Sequence, residues 1–533
     1  MQSPSTIALP HQISQQHDKT SSQATDAEAT FLAFLTRDRS NRRLSLLVLL
    51  GTIAQFTIFK LLYPYPDFFS DSYSYLYAAY AHLDVSIWPI GYSKFLAAFH
   101  ALTHSDTALV AFQYFFLEAA ALYFYLTLNY LFHPGRAVRI ILLLFLFVNP
   151  LFLYLSNYVN SDPLFAALSL FWFTGLIWIV CRPRGYQVLT QGALLFLCFA
   201  VRNNAYIYPL IGIIAFLLSQ QRPWIRLAGS LAGPLLILPF ILHTRTVAKE
   251  MTGTAQFSFF TGWQLANNAL YMYGYIHPDS NLFTSPAARE MNRLSTGFYQ
   301  HVRPDFDQFL VDYPANYFIQ SPTAPLKIYM ARHYKRTDLY GGVISWGRAS
   351  ADFEPFGATL IRHYPLAFFS HFLLPNARNF LLPDLEKLKL YNTGRTEVER
   401  IAQDWFDYKT TDISVVSQNF QGELLYLYPY SFLFINIYLL AALAWFVVQK
   451  KYAGSSSNVK GLLLLSTAFV LANACFCILT TVIVFRYEFF PMIVSVSFSL
   501  LLATWLEASP SASDTRPLLG QRTSSHKNVQ VLS

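Results

Sequence analysis

Long apolar runs separated by short polar or basic connections fill most of the chain after residue 43. Ten of them approach the ~20 residues a helix needs to cross a bilayer. They lie near 44–63, 108–131, 137–155, 163–180, 187–201, 204–219, 225–243, 427–448, 461–484 and 489–506. The pattern predicts an all-α polytopic membrane protein with about ten transmembrane helices. The stretch 187–219 carries Arg202 near its middle. A single helix there would hold an arginine at mid-membrane, at about 2.5–3.5 kcal/mol on insertion scales. Two short helices meeting at Arg202-Asn203-Asn204 are therefore expected. No internal repeat is visible.

The polar stretches set the topology. Arg37, Arg39, Arg42 and Arg43 precede the first run, and Arg136, Arg139, Arg182, Arg184, Arg222, Arg226, Lys450, Lys451 and Lys460 fall in alternate connections. The opposite short connections hold Lys94, Arg202 and Arg486. Basic residues mark cytoplasmic loops, so both termini are expected in the cytoplasm. Two long segments then face outward, 64–107 and 244–426. The division follows: a disordered leader over 1–43, a seven-span module over 44–243, an extracytoplasmic domain over 244–426, three spans over 427–506, and a disordered tail over 507–533. The outer domain is expected to be mixed and mostly helical, resting on the membrane; its apolar run 365–375 is too short to cross. The leader has no early apolar core of a secretory signal.

Composition agrees. The 533 residues are 54% hydrophobic and 13% charged, about half the charge of a soluble domain. The net charge of +8 sits in clusters between apolar runs, which speaks for topology and against nucleic acid. Aromatics make up 17%, suiting interfaces and pockets that stack on sugars or isoprenoid chains. Cys181, Cys198, Cys475 and Cys477 lie in or beside apolar runs and read as packing residues, with no disulfide or zinc pattern.

Candidate chemistry gathers in the outer connections. Asp67-Phe-Phe-Ser-Asp71-Ser-Tyr-Ser-Tyr75 follows the first span, and Trp88-Pro-Ile-Gly-Tyr92 comes soon after. Asp71 can be a general base toward an acceptor hydroxyl or the N-cap of a helix starting near Ser72, and Asp67 is equally placed. Asp162, in Ser161-Asp162-Pro163, opens the fourth span, where an aspartate before proline is a common helix start. Two carboxylates on one face can share a divalent cation, Mg²⁺ or Mn²⁺, or divide acid and base roles. Arg202, His243, Arg245 and Arg486 fall at outer helix ends; arginine there can hold a lipid phosphate or snorkel to the interface. His100 and His104, with Asp106 near, have the i,i+4 spacing of metal ligands, or are polar positions on an interfacial helix. In Gly262-Trp-Gln-Leu-Ala-Asn267-Asn268, the indole and amides can hold a sugar or satisfy one another. No phosphate-binding loop, nucleotide-binding glycine fingerprint or Ser/His/Asp set appears.

These residues, in this order and on one side, resemble the glycosyltransferase-C superfamily of integral-membrane enzymes, closest to its protein-mannosyltransferase-like and aminoarabinose-transferase-like bacterial members. The resemblance rests on Asp71-Ser72 with Tyr75, Trp88-Pro89-Ile90-Gly91-Tyr92, Asn149-Pro150, Ser161-Asp162-Pro163, Arg202-Asn203 and Arg486-Tyr487. It covers about 44–245 and is faint over 246–426. It implies a bacterial inner-membrane, inverting transferase. The donor would be a polyprenyl-phosphate-linked sugar and the acceptor a glycan, lipid or protein. Asp71 would be the catalytic aspartate, Asp162 the second acidic residue, and Arg202, Arg245 and Arg486 the donor-phosphate ligands. Asp67, Tyr75, Trp88, Tyr92, Asn203 and Tyr487 would line the substrate site. Asp71 lacks the acidic neighbour of the protein-mannosylating members, which separates this chain from them on acceptor and metal. Without the resemblance, a polytopic transporter, a lipid flippase or a non-catalytic membrane scaffold remain as alternatives. The absence of repeats, and the clustering of the polar residues at the outer face and not at mid-membrane, argue against a transporter.

Overall fold

A computed structural model describes residues 30–302, 306, 316–334, 342–480 and 483–507. Among these the secondary structure is helical, with three isolated β-bridges in place of any strand. The chain divides into two compact units, Met1–Gly51 and Thr52–Ser533. In the first, the described part of the polar leader is helical where disorder was expected. Thr30 caps Phe31–Thr36 by accepting a hydrogen bond from the Ala33 amide at 3.2 Å, and Asp38 accepts one from the Ser40 amide at 2.8 Å. Local capping thus continues the helical register upstream of the apolar run. The rest of the leader and the tail beyond 507 lie outside the described residues.

Among the described residues eight helices are long and apolar enough to cross a membrane: Arg39–Leu62, Asp106–Phe132, Arg136–Ser156, Ser161–Cys181, Pro223–Thr252, Phe420–Val448, Ser457–Thr480 and Phe485–Glu507. They fit a membrane protein. The other two expected spans are the shorter helix Gln187–Val201 and the apolar stretch Asn203–Leu218. They part at Arg202, whose backbone is extended (φ −150°, ψ 146°). The break falls where the cost of an intramembrane arginine placed it.

Helix ends follow local chemistry. Ser105 caps Asp106–Phe132 through the Ala108 amide, and that helix stops at left-handed His133 before Pro134. Pro223–Thr252 runs nine residues past the expected end at 243, because no breaker occurs until left-handed Gly253.

The described residues of 253–426 are mostly helical, with bridges at Asp384 and between Glu397 and Asp412, and pack around a core of Trp263, Phe353, Phe356, Tyr271 and Phe318. The central pair is Thr261–Tyr273 on Val343–His363. Gly262 permits their contact: a Cβ there would sit 1.8 Å from the Ser350 carbonyl oxygen. The run at 365–375 is helical through a π-turn at Phe369–Leu373, with Leu366, Phe369 and Leu374 exposed.

Candidate functional site

Two of the isolated bridges place the charged residues. Asp67 pairs with Tyr158 in parallel: its amide donates to the Asn157 carbonyl at 2.8 Å, and its carbonyl accepts from the Val159 amide at 3.2 Å. This clasp sets the start of Ser70–Tyr80, which carries Asp71, beside the start of Ser161–Cys181, which carries Asp162. The second bridge joins Asp384 to Val484, with the Phe485 amide donating to the Asp384 carbonyl at 2.8 Å. It brings Glu386 beside Arg486. The two clasps are tied together, since the Tyr158 hydroxyl donates to the Lys387 carbonyl at 2.8 Å and the Asn392 amide donates to the Asp67 carboxylate at 2.9 Å.

Neither catalytic candidate caps its helix. Phe69 precedes the first helix, its amide donating to the Ser72 hydroxyl at 3.2 Å, and Asp71 lies in the first turn. Asn160 caps the second through the Ser161 amide, leaving Asp162 free of that role. The capping explanation, open from sequence, does not describe these carboxylates.

Instead they converge on Arg486. Its Nη1 lies 3.0 Å from Asp162 Oδ2, its Nη2 3.6 Å from Asp71 Oδ2, and its Nε 3.4 Å from Glu386 Oε2. Arg202 Nη1 donates to Asp162 Oδ1, and to Ser161 Oγ at 3.3 Å. The Tyr487 ring lies 4.6 Å from each guanidinium, and the Tyr75 hydroxyl joins through Ser161 Oγ at 2.9 Å. Five segments separated along the chain thus build one network of three acids and two arginines. Such a buried network is favourable only because every acid meets a cation. Asp71 and Glu386 open to a cavity, and Asp162 does not. Burial pushes the Asp71 carboxyl above the usual range, Arg486 pulls it down, and Glu386 adds to the rise. A carboxylate held up this way is a better proton acceptor near neutral pH.

A divalent cation does not fit between the acids. The Arg486 guanidinium bridges Asp71 and Asp162, occupying the place a shared metal would take. Among the described residues no group of three or more His, Cys, Asp or Glu is arranged to hold one. His100 and His104 stack ring on ring at 4.0 Å, and His104 pairs with Asp407 at 2.6 Å. Asp106 instead accepts from the Tyr408 hydroxyl at 2.6 Å, which leaves the pair without a third ligand.

Two cavities flank the network. One, of about 510 Å³, is polar and is lined by Asp71, Glu386, Lys387, Glu399 and Arg486, with Trp346 and Lys327. The other, of about 460 Å³, is more apolar; Arg202, Asn203 and Asn204 meet Leu265, Phe476 and Leu479 there. Trp88, Phe260 and Tyr487 belong to both walls. The polar residues at the break in 187–219 therefore face an apolar compartment, and the carboxylates face a polar one.

Of the residues singled out from sequence, Asp71, Asp162, Arg202 and Arg486 meet in the network, and Tyr75, Trp88, Asn203 and Tyr487 line one or both cavities. Three do not. Asp67 is 2% exposed, held by Asn392 and, at 3.5 Å, by the Gln421 amide, and it lines neither cavity. Tyr92 is fully buried, its hydroxyl on Gln113 at 2.7 Å and its ring edge-on to Tyr75. Arg245 lies inside the extended helix on an exposed face, away from the network. It was expected at a helix end, and the missing breaker after 243 moved that end. In 262–269 the amides bond to one another, Gln264 and Asn267 both donating to the Asn268 carbonyl oxygen at 2.7 and 3.1 Å, and Gln264 and Asn268 also line the apolar cavity.

Sequence reasoning missed Glu386, Lys387, Lys327 and Trp346. For Glu386 the available sign was a dense charged run, Asp384-Leu-Glu386-Lys387-Leu-Lys389, after Pro383 in an otherwise apolar chain. In the fold Glu386 also takes a left-handed φ of 49°, a costly choice for a non-glycine residue that clusters at functional sites. No family model matches this chain, and no curated protein or solved structure does.

Proposed function

We propose that the protein is a membrane glycosyltransferase that moves a sugar from a polyprenyl-phosphate carrier to an acceptor hydroxyl, with inversion, on the extracytoplasmic face. The observation that carries the reading is the placement of one raised carboxylate and an arginine pair between an apolar and a polar cavity. A lipid-linked donor needs both surroundings: hydrocarbon for the isoprenoid and cations for the phosphate. In the apolar cavity Arg202 spends only Nη1 on Asp162 and Ser161, so its other N–H groups can meet a phosphate, with Asn203 alongside. Phe476 and Leu479 suit the first isoprene units.

The chemistry follows from the same placement. An acceptor hydroxyl in the polar cavity gives its proton to Asp71 as its oxygen attacks the anomeric carbon. The bond from that carbon to the phosphate oxygen breaks, and its electron pair leaves with the lipid phosphate. Arg202 and Arg486 hold fixed positive charge where negative charge grows. Asp162 keeps the two guanidinium groups apart and oriented. All steps use the chain's own residues.

In this reading the eight long helices and the two short ones supply ten spans, and 64–107 and 253–426 lie outside. Purified protein incubated with a panel of polyprenyl-phosphate sugars should release polyprenyl phosphate, and Asp71→Asn should stop it. Full release by that variant sinks the role of Asp71. Epitope tags that map 64–107 to the cytoplasm sink the whole reading.

A further inference from the structure

The geometry points to a saccharide as the acceptor: the polar cavity is built to take a neutral sugar ring, stacked on Trp346 and hydrogen-bonded by Trp88 and Asn316. This rests on the transferase reading, which assigns that cavity to the acceptor without saying what the acceptor is.

Three features of the wall select this class over a lipid or a peptide. The first is charge. The lining holds three acids, Asp71, Glu386 and Glu399, and three cations, Lys327, Lys387 and Arg486. A lining that balances itself favours a neutral ligand rich in donors and acceptors over an ion. A lipid's hydrocarbon would desolvate these charged groups and offer them no hydrogen bonds in return.

The second is an aromatic platform. Trp346 is half-buried in the wall, and its ring stacks on that of fully buried Trp263 at 4.0 Å. The Trp263 indole N–H donates to the Trp346 carbonyl at 3.0 Å, which fixes the pair. Lys327 Nζ lies 4.2 Å from the Trp346 ring centre. A rigid indole with a cation at its side matches the apolar C–H face of a pyranose and its outward hydroxyls.

The third is a set of waiting polar atoms. Trp88 Nε1, Trp346 Nε1 and Asn316 Oδ1 are buried without a hydrogen-bond partner, and all three residues line this cavity. Each such atom is destabilising until it is paired. Two donors and one acceptor suit hydroxyl groups, which serve as either. A peptide fits less well. Its main chain seeks a strand edge, and the helices of this wall, Ser70–Tyr80, Pro325–His333 and Val343–His363, have their own backbone groups paired.

The cavity also continues outward. A smaller space of about 280 Å³ shares Asn316, Gln320, Glu386 and Lys387 with it and reaches Lys389 and Thr393. A chain of sugars can therefore keep its terminal residue near Asp71 while the remainder leaves by this route.

The test reads binding with no donor present. Full-length protein in nanodiscs is mixed with methyl α-mannoside, methyl β-glucoside, methyl β-galactoside and methyl α-arabinofuranoside, and with an Ala-Thr-Ala amide as the peptide comparator. Saturation-transfer NMR reports which ligand protons contact the protein. At least one glycoside should show transfer and the peptide none. Trp346→Ala should weaken that glycoside about tenfold, and Trp346→Phe, which keeps a flat ring, should restore most of the loss. Asn316→Leu should weaken it independently of the ring. No glycoside signal, a peptide signal alone, or equal losses for the Phe and Ala variants would overturn the assignment. The separate release of polyprenyl phosphate distinguishes the two claims. Release without glycoside binding removes only the saccharide acceptor, and glycoside binding without release removes the transferase.

Discussion

The linker that carries Asp67 and the helix turn that carries Asp71 are separated by Phe68, Phe69 and Ser70, and from sequence the two acids are interchangeable. In the fold they are different chemical objects. Asp67 has closed over: its backbone makes the clasp to Tyr158, and its carboxyl accepts from the Asn392 amide and faces the Gln421 amide, with no cation among the described residues within ion-pairing distance. Burial pushes it up to about 8, so it is protonated at neutral pH. Asp71 has stayed open: it meets Arg486, borders the polar cavity, and carries a neighbouring acid, Glu386, that raises it against the pull of the arginine. One acid holds the architecture; the other, in the proposed function, exchanges a proton. A buried carboxylate is a functional candidate only when a charged partner and a cavity accompany the burial.

The comparison breaks first on activity. Asp71→Asn should lower sugar transfer by ~10²–10⁴-fold, the usual worth of a general base, with unchanged expression and monodispersity. Asp67→Asn keeps the neutral state that the wild-type carboxyl already has, so transfer should fall by no more than a few-fold. Release of polyprenyl phosphate measures both. If Asp67→Asn is the dead variant and Asp71→Asn the live one, the roles are reversed.

Next comes stability at the shared partner. Arg486→Ala leaves Asp71, Asp162 and Glu386 facing one another with Arg202 as the remaining guanidinium. Removing one partner of a buried pair costs ~3–5 kcal/mol, so the detergent-solubilised variant should melt well below wild type. Arg486→Lys keeps the charge and loses the fork, and should fall between the two. Melting points indistinguishable from wild type would mean that the acids are not held by Arg486.

A subtler contrast is in pH. The Asp67 carboxyl binds its proton more tightly in the native state, so its stabilising contribution is full below about pH 4 and is lost as pH rises through about 8. Asp67→Asn removes that loss. Apparent melting temperatures at one scan rate should therefore diverge from pH 5 to pH 9, with the variant increasingly the more stable. A gap that stays constant over that range would show the carboxyl to be ionised in the fold.

Much of this arrangement was legible in the chain. The apolar runs give the helices, and the cost of Arg202 inside a bilayer gives the break at 201–203. The order of Asp71, Asp162, Arg202 and Arg486, all at connections on one predicted side, is enough to suggest that they meet. What could not be read is pairing over long separations. The Asp384–Val484 and Asp67–Tyr158 bridges each involve two or three residues with no periodicity, and they alone bring Glu386 to Arg486 and Asp67 into the frame. Arg245 shows the converse error. Its neighbours ended an apolar run, but a run's end is a helix end only if something breaks the backbone, and here that waits until Gly253.

The finest separation concerns Glu386, which bears on Asp71 and hardly at all on Asp67. Its charge is among the influences that raise the Asp71 carboxyl. Glu386→Gln removes a like charge, so the Asp71 proton should leave more readily. The acidic limb of kcat/KM against pH, which reports the free enzyme's base, should move to lower pH by less than about one unit. Arg486→Lys should move it the other way if the looser cation pulls less on Asp71. Asp67, tied to Asn392 on the far side of Phe68 and Phe69, gives no reason for Asp67→Asn to move the limb at all. A limb that shifts with Asp67→Asn and holds still with Glu386→Gln would assign the titrating base to the clasp and not to the cavity.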